Sequence, residues 1–210
     1  MTARRVSLCA AAVAVAAAGA AGAAPTSVAL HASAPQIDFG DPVTLAGRAP
    51  AHVVVQLLSQ PCGFKGQVQV AAKTAQAGGT FAFKVEPTLR TTFWVRAGKV
   101  RSRGVTVRVR PAVAVQSVGP RAFAVTVSVG AGHFFNGAKV VLEARSKPSQ
   151  AWRPVGSGLL TQASPVDALV AVSKTTVAAK IAAGSEVRAQ LRAPAAGACF
   201  LPSVSPPIRA

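Results

Sequence analysis

Apolar and polar residues alternate with a period of two along most of this chain. The clearest run spans residues 79–96. Phe81, Phe83 and Val85 alternate with Ala82, Lys84 and Glu86, and Phe93 and Val95 then alternate with Thr92, Trp94 and Arg96. Period two predicts strands with one face buried. Pro87 has no N–H for a sheet ladder and belongs to the corner between the two strands. Upstream, Val28 and Leu30 alternate, and residues 40–42 read as a turn that leads into Val43 and Leu45, both facing inward. Residues 52–58 predict a strand with Val53, Val55 and Leu57 on one face, residues 67–74 a weaker one, and residues 76–79 a turn. After Gly98, Val105, Val107 and Val109 alternate with Thr106, Arg108 and Arg110, yet Lys99, Arg101 and Arg103 share the valines' parity. A register change at residues 102–104 reconciles the two, and a bulge supplies one.

The pattern recurs. Val53-Val54-Val55-Gln56 with Pro61 corresponds to Val140-Val141-Leu142-Glu143 with Pro148 at a constant offset of 87 positions. Val43-Thr44-Leu45-Ala46 corresponds to Val125-Thr126-Val127-Ser128. Pro111 marks the boundary, dividing the chain into a first domain over residues 24–111 and a divergent second over 112–210. Strands of the second are expected over residues 112–117, 123–129, 139–145, 153–160, 167–172, 176–181, 186–192 and 203–209. In the seventh, Val187, Ala189 and Leu191 face in, and Glu186, Arg188, Gln190 and Arg192 face out.

The segments IDFGDPVTLAG, QPCGF and GGTFAFKVEPTLRTTFWVRAG resemble the immunoglobulin-like β-sandwich repeats of secreted actinobacterial proteins. The resemblance is clearer in the first domain and implies an all-β fold of two tandem Greek-key sandwiches, each of seven strands. One position departs from the pattern. Phe93 stands where such domains often carry a Tyr whose hydroxyl bonds the corner backbone; Phe keeps the burial and loses a hydrogen bond worth about 0.5–1.5 kcal/mol.

Composition adds a location. Residues 1–23 read as a signal peptide: Arg4 and Arg5 are charged, residues 6–18 are apolar, and Ala21-Gly22-Ala23 offers small residues at the cleavage site. An uncleaved anchor is the competing reading, against which the weak hydrophobicity of the Ala-rich run argues. The remaining chain carries no second long apolar run, so a mature protein outside the cytoplasmic membrane, without a transmembrane segment, is expected. Losing Arg4 and Arg5 takes the formal charge from +17 to +15. That excess suits polyanionic partners such as phosphorylated wall polymers or anionic lipid surfaces; it is also what an Ala-, Arg- and Gly-rich composition produces without selection for a ligand. Nucleic-acid binding would need the same charge, but aromatic interleaving is absent and the compartment is wrong.

After leader removal two cysteines remain, Cys62 and Cys199, one per domain. Cys62 ends the third strand of the first domain, and Cys199 lies between the last two strands of the second. In a tandem pair those poles face each other, so a Cys62–Cys199 disulfide across the junction is expected in an oxidising compartment. Pairing between chains and free thiols are the alternatives.

No catalytic constellation stands out, and no cofactor or metal is expected. The three histidines, His31, His52 and His133, are isolated, and the six acidic residues form no spaced pair with supporting partners. Asp38 and Asp41 share a turn but lack the further oxygen ligands of a calcium loop. The candidate binding face is the outer side of the first domain's third, sixth and seventh strands, with His52, Gln56, Trp94, Arg96, Arg108 and Arg110. An outward Trp among arginines can stack on a sugar while Arg pairs with phosphate or carboxylate; the plainer alternative is a solvated face on which Arg covers Trp. Trp152 reads as sandwich-edge packing. The expected function is a secreted, non-enzymatic structural or interaction protein of the bacterial cell envelope, meeting another envelope protein. The alternative is a module binding anionic cell-wall polymer or carbohydrate through the basic face.

Overall fold

A computed structural model describes residues 27–165 and 168–210. The signal-peptide reading of residues 1–23 lies outside the described residues. The described chain is all-β apart from one four-residue helix, and its strands form several sheets.

The first half contributes β1 (Ala29–Ala32), β2 (Gln36–Asp38), β3 (Val43–Arg48), β4 (Val54–Pro61), β5 (Val68–Thr74), β6 (Thr80–Val85), β7 (Thr91–Ala97), β8 (Val100–Arg101) and β9 (Val105–Arg110). One sheet has the order β1-β3-β6, the other β2-β9-β7-β4-β5, with β8 on β7. After β1 the chain crosses to the second sheet, where β2 runs parallel to β9; the remaining pairs of this half are antiparallel. Alternation decides the inner faces. Val43 and Leu45 of one sheet and Val55, Leu57, Phe93, Val95, Val107 and Val109 of the other fill a single core with Phe81 and Phe83. Burying each such side chain contributes about 1.5–3 kcal/mol. Gly47 lets the first strand lie close, because a Cβ there would collide with the Ala29 carbonyl oxygen and stand 2.6 Å from the Phe81 ring.

The second half contributes β10 (Ala112–Gly119), β11 (Ala122–Gly130), β12 (Lys139–Arg145), β13 (Arg153–Leu159), β14 (Thr161–Gln162), β15 (Val170–Ala178), β16 (Glu186–Leu191), α1 (Ala193–Ala196), β17 (Ser203–Val204) and β18 (Ile208–Arg209). Its sheets are β10-β11-β15-β14 and β13-β12-β16-β17, with β18 also on β16. A separate core gathers Phe123, Val125, Val127, Val140, Leu142, Val187, Ala189 and Leu191 from the two inner faces.

Several elements differ from expectation for identifiable reasons. His52 is not on a strand. It occupies a turn at φ 61°, its N–H donates to the Ala75 carbonyl, and β4 begins only at Val54. Where two strands are expected over residues 167–181, the described residues carry a single strand, β15, whose inner face includes the buried Ser173. The Ser173 hydroxyl accepts from the Phe135 N–H at 3.0 Å, so a polar residue is satisfied at a core position. The final strand is split into β17 and β18 around Ser205, Pro206 and Pro207, since proline cannot donate to the ladder. Helix α1 has no counterpart in the alternating pattern. The register change at residues 102–104 is present: Ser102 leaves the ladder, its N–H donating to the Val95 carbonyl and its hydroxyl accepting from the Val95 N–H.

Candidate functional site

The two halves meet where the loop after α1 lies against the pole of the first half. β4 ends at Pro61, and Cys62 is joined to Cys199 with an S–S distance of 2.02 Å. Backbone hydrogen bonds flank this link. The Cys62 N–H donates to the Arg90 carbonyl at 2.8 Å, the Arg90 N–H to the Cys199 carbonyl at 3.0 Å, and the Leu201 N–H to the Val109 carbonyl at 2.9 Å. The buried Ser203 hydroxyl donates to the Pro111 carbonyl at 2.7 Å. Thr88, in the corner between β6 and β7, sits over Gly130 so closely that a Cβ there would lie 2.7 Å from the Thr88 Cγ2. Phe200 packs against Phe135 at 5.4 Å and His133 at 5.9 Å between ring centroids. His133 is thereby an aromatic packing partner at the junction.

The corner also shows how its hydrogen bonding is met without tyrosine. Phe93 is buried, and the Thr91 hydroxyl donates to the Leu89 carbonyl at 2.8 Å, within the same turn.

On the outer face of β7, β4 and β9, the register sets Trp94 opposite Leu58, Arg96 opposite Gln56, and Thr92 opposite Thr106. Arg96 donates through Nε and Nη2 to the Gln56 side-chain oxygen at 3.0 and 2.8 Å. Trp94 is half-buried, with Arg101 over its ring at 4.6 Å and Gly104 against its indole nitrogen. The cation on Trp94 is thus Arg101, which alternation does not reveal because the break at residues 102–104 obscures where β8 points. Arg110 turns to β2, donating to Gln36 at 2.7 Å and standing 3.7 Å from Asp38. Arg108 points away toward the junction and lines a cleft there with Arg90. Of the six expected face residues, Gln56, Trp94, Arg96, Arg108 and Arg110 share the sheet face and His52 does not.

A second Arg–Trp arrangement lies on the second half. Arg145 and Arg188 stand 4.5 and 4.2 Å from the Trp152 ring centroid. Each arginine also has a carboxylate: Arg145 meets Glu186 at 2.6 Å and Arg188 meets Glu143 at 2.8 Å, with Arg192 3.6 Å from the same glutamate. The Glu143 side chain is only 8% exposed, and these guanidinium groups are its polar partners. Glu143→Gln should cost about 1–2 kcal/mol in urea unfolding, because it leaves the partly buried Arg188 guanidinium short of a counter-charge. Asp38→Asn, at a carboxylate 68% exposed, should stay within about 0.5 kcal/mol.

Among the described residues no group of three or more His, Cys, Asp or Glu is placed to hold a metal ion. Among the same residues no helix is long and apolar enough to cross a membrane. No protein-family model and no curated protein matches the chain. Among solved structures, a biofilm-associated protein's BSP domain is similar over 86% of this chain at 14% identity and a TM-score of 0.30. This chain spans 28% of that structure's length, and a superposition so loose carries no conclusion about fold or function.

Proposed function

We propose that this chain is an exported, non-catalytic interaction protein of the bacterial cell envelope, built of two immunoglobulin-like sandwiches held at a fixed angle. The observation that carries the proposal is the Cys62–Cys199 link with its flanking backbone hydrogen bonds. A disulfide closing 137 positions of chain is a device of oxidising compartments, and one placed at a junction rigidifies geometry rather than a single core. The strand orders support the sandwich reading: three strands face a larger sheet in the first half, with the first strand divided between them, as in Greek-key sandwiches. The non-catalytic reading draws support from Asp38, Glu143 and Glu186, each paired with arginine.

A second reading has its own observation. Arg90, Arg101 and Arg108 meet no carboxylate among the described residues and cluster on one side of the first half. This favours a module that binds anionic envelope polymer. Retention on isolated cell walls across a salt series separates the two readings. The second expects retention that falls steeply as salt rises; the first expects retention that ignores salt, or crosslinking in whole cells to an envelope protein instead.

A further inference from the structure

One step beyond the register pair Thr91 with Val107, on the side away from Thr92 and Thr106, lie Arg90 and Arg108. Arg90 lies just before β7 and Arg108 within β9, and the loop of the second half enters there: the Arg90 N–H donates to the Cys199 carbonyl and the Leu201 N–H to the Val109 carbonyl. Both arginines are exposed. All four residues line one cleft of about 460 Å³, whose other wall is Ala198, Cys199, Phe200 and Leu201 from the second half. The cleft therefore exists only because the junction is closed.

Two guanidinium groups that line one cleft repel each other. No carboxylate among the described residues relieves this pair. Arg90 is nevertheless held, its Nη2 donating to the Cys62 sulfur at 3.2 Å. The Thr92 and Thr106 hydroxyls lie 2.9 Å apart and bond each other. One proton satisfies that bond, so the second hydroxyl proton is free to donate into the cleft.

We propose that this junction cleft binds a phosphodiester group of a polyol-phosphate polymer, with Arg90 and Arg108 as its anchors. The proposal rests on the polyanion reading above. A phosphodiester presents two non-bridging oxygens, one for each guanidinium, and Arg matches such oxygens well. A carboxylate also presents two oxygens, held closer together in one plane, a geometry that suits a single guanidinium fork. Nucleic acid is disfavoured because its binding adds base stacking. Trp94 is covered by Arg101, and Phe200 is engaged by Phe135 and His133.

The test uses the full chain with its disulfide intact and fluorescently labelled poly(glycerol phosphate), read by anisotropy. Arg108→Gln should weaken binding about five- to tenfold, as should Arg90→Gln. Arg153→Gln and Arg209→Gln remove the same charge from the second half and should weaken it less than about twofold. Hyaluronate should bind at least about tenfold more weakly than the polyol phosphate, and oligothymidylate, which carries the same phosphodiester, should bind no more tightly than it. Because Arg90 also touches Cys62, Arg108→Gln is the deciding variant. Binding that falls equally in all four variants, or that favours hyaluronate or oligothymidylate, overturns the assignment while leaving a basic binding protein. Absence of any binding by the unaltered protein overturns the polyanion reading with it.

Discussion

Replacing Cys62 and Cys199 together by serine should lower the free energy of complete unfolding by up to about 5 kcal/mol. The link spans 137 positions of chain, and the chain-entropy relation puts a loop of that size at the top of the usual range. That value is a ceiling, since the unfolded chain retains some structure. The variant's behaviour should change as well as its stability. With the link present, the loop at residues 199–203 is held to Arg90, Val109 and Pro111 by hydrogen bonds that the cross-link keeps in place. Without it those few bonds, each contributing about 0.5–1.5 kcal/mol, and the packing of Thr88 on Gly130 are left to hold the junction. Calorimetry should then resolve two transitions, one for each hydrophobic core. Reduction of the unaltered protein should give the same profile, and a single unshifted transition in the double-serine variant would contradict the role assigned to the link.

Phe123→Ala should cost about 3–5 kcal/mol, the usual range for deleting a large aromatic from a packed interior. Phe123 is 2% exposed and is among the largest fully buried side chains. It sits on β11 between Ser117 of β10 and Val177 of β15, where no backbone movement of one strand alone would close the space. The two cores share no residue. In the double-serine background, therefore, Phe123→Ala should lower one of the two transitions and leave the other within about 1 °C; distant, independent sites add without coupling. With the disulfide intact, the loss should also appear as earlier proteolysis in the second half. Equal shifts of both transitions in the double-serine chain would mean that the halves are not separate cooperative units.

Much of this fold was legible because its longer central strands bury one face. Val43, Leu45, Val55, Leu57, Val187, Ala189 and Leu191 all lie in the cores, on the side their parity assigns. The pairing of Cys62 with Cys199 was legible for a different reason, since strand order alone decides which loops share a pole. Parity failed where a core position is polar. Ser173 sits on the inner face of β15 and is satisfied by the Phe135 N–H, which only a neighbouring loop can supply. It failed again at His52, whose turn is held by a hydrogen bond to the distant Ala75. The candidate binding face was half legible. Trp94, Arg96 and Arg108 follow from their strands, and Arg90 could have been found by extending the parity of Thr92 back into the corner. Arg101 was hidden because it pairs antiparallel with Arg96 beyond the turn at Gly98, in a register that Ser102 breaks before Val105, so its face cannot be counted back from the valines.

The junction fixes how the two halves sit, and peptide mapping tests its cross-link most directly. The protein should be recovered from whole cells with free thiols alkylated before lysis, then digested without reduction and examined by mass spectrometry. A single cross-linked peptide pair containing Cys62 and Cys199, converted to two separate peptides on reduction, is the predicted result. Recovery of a mature monomer with both cysteines alkylated would contradict it.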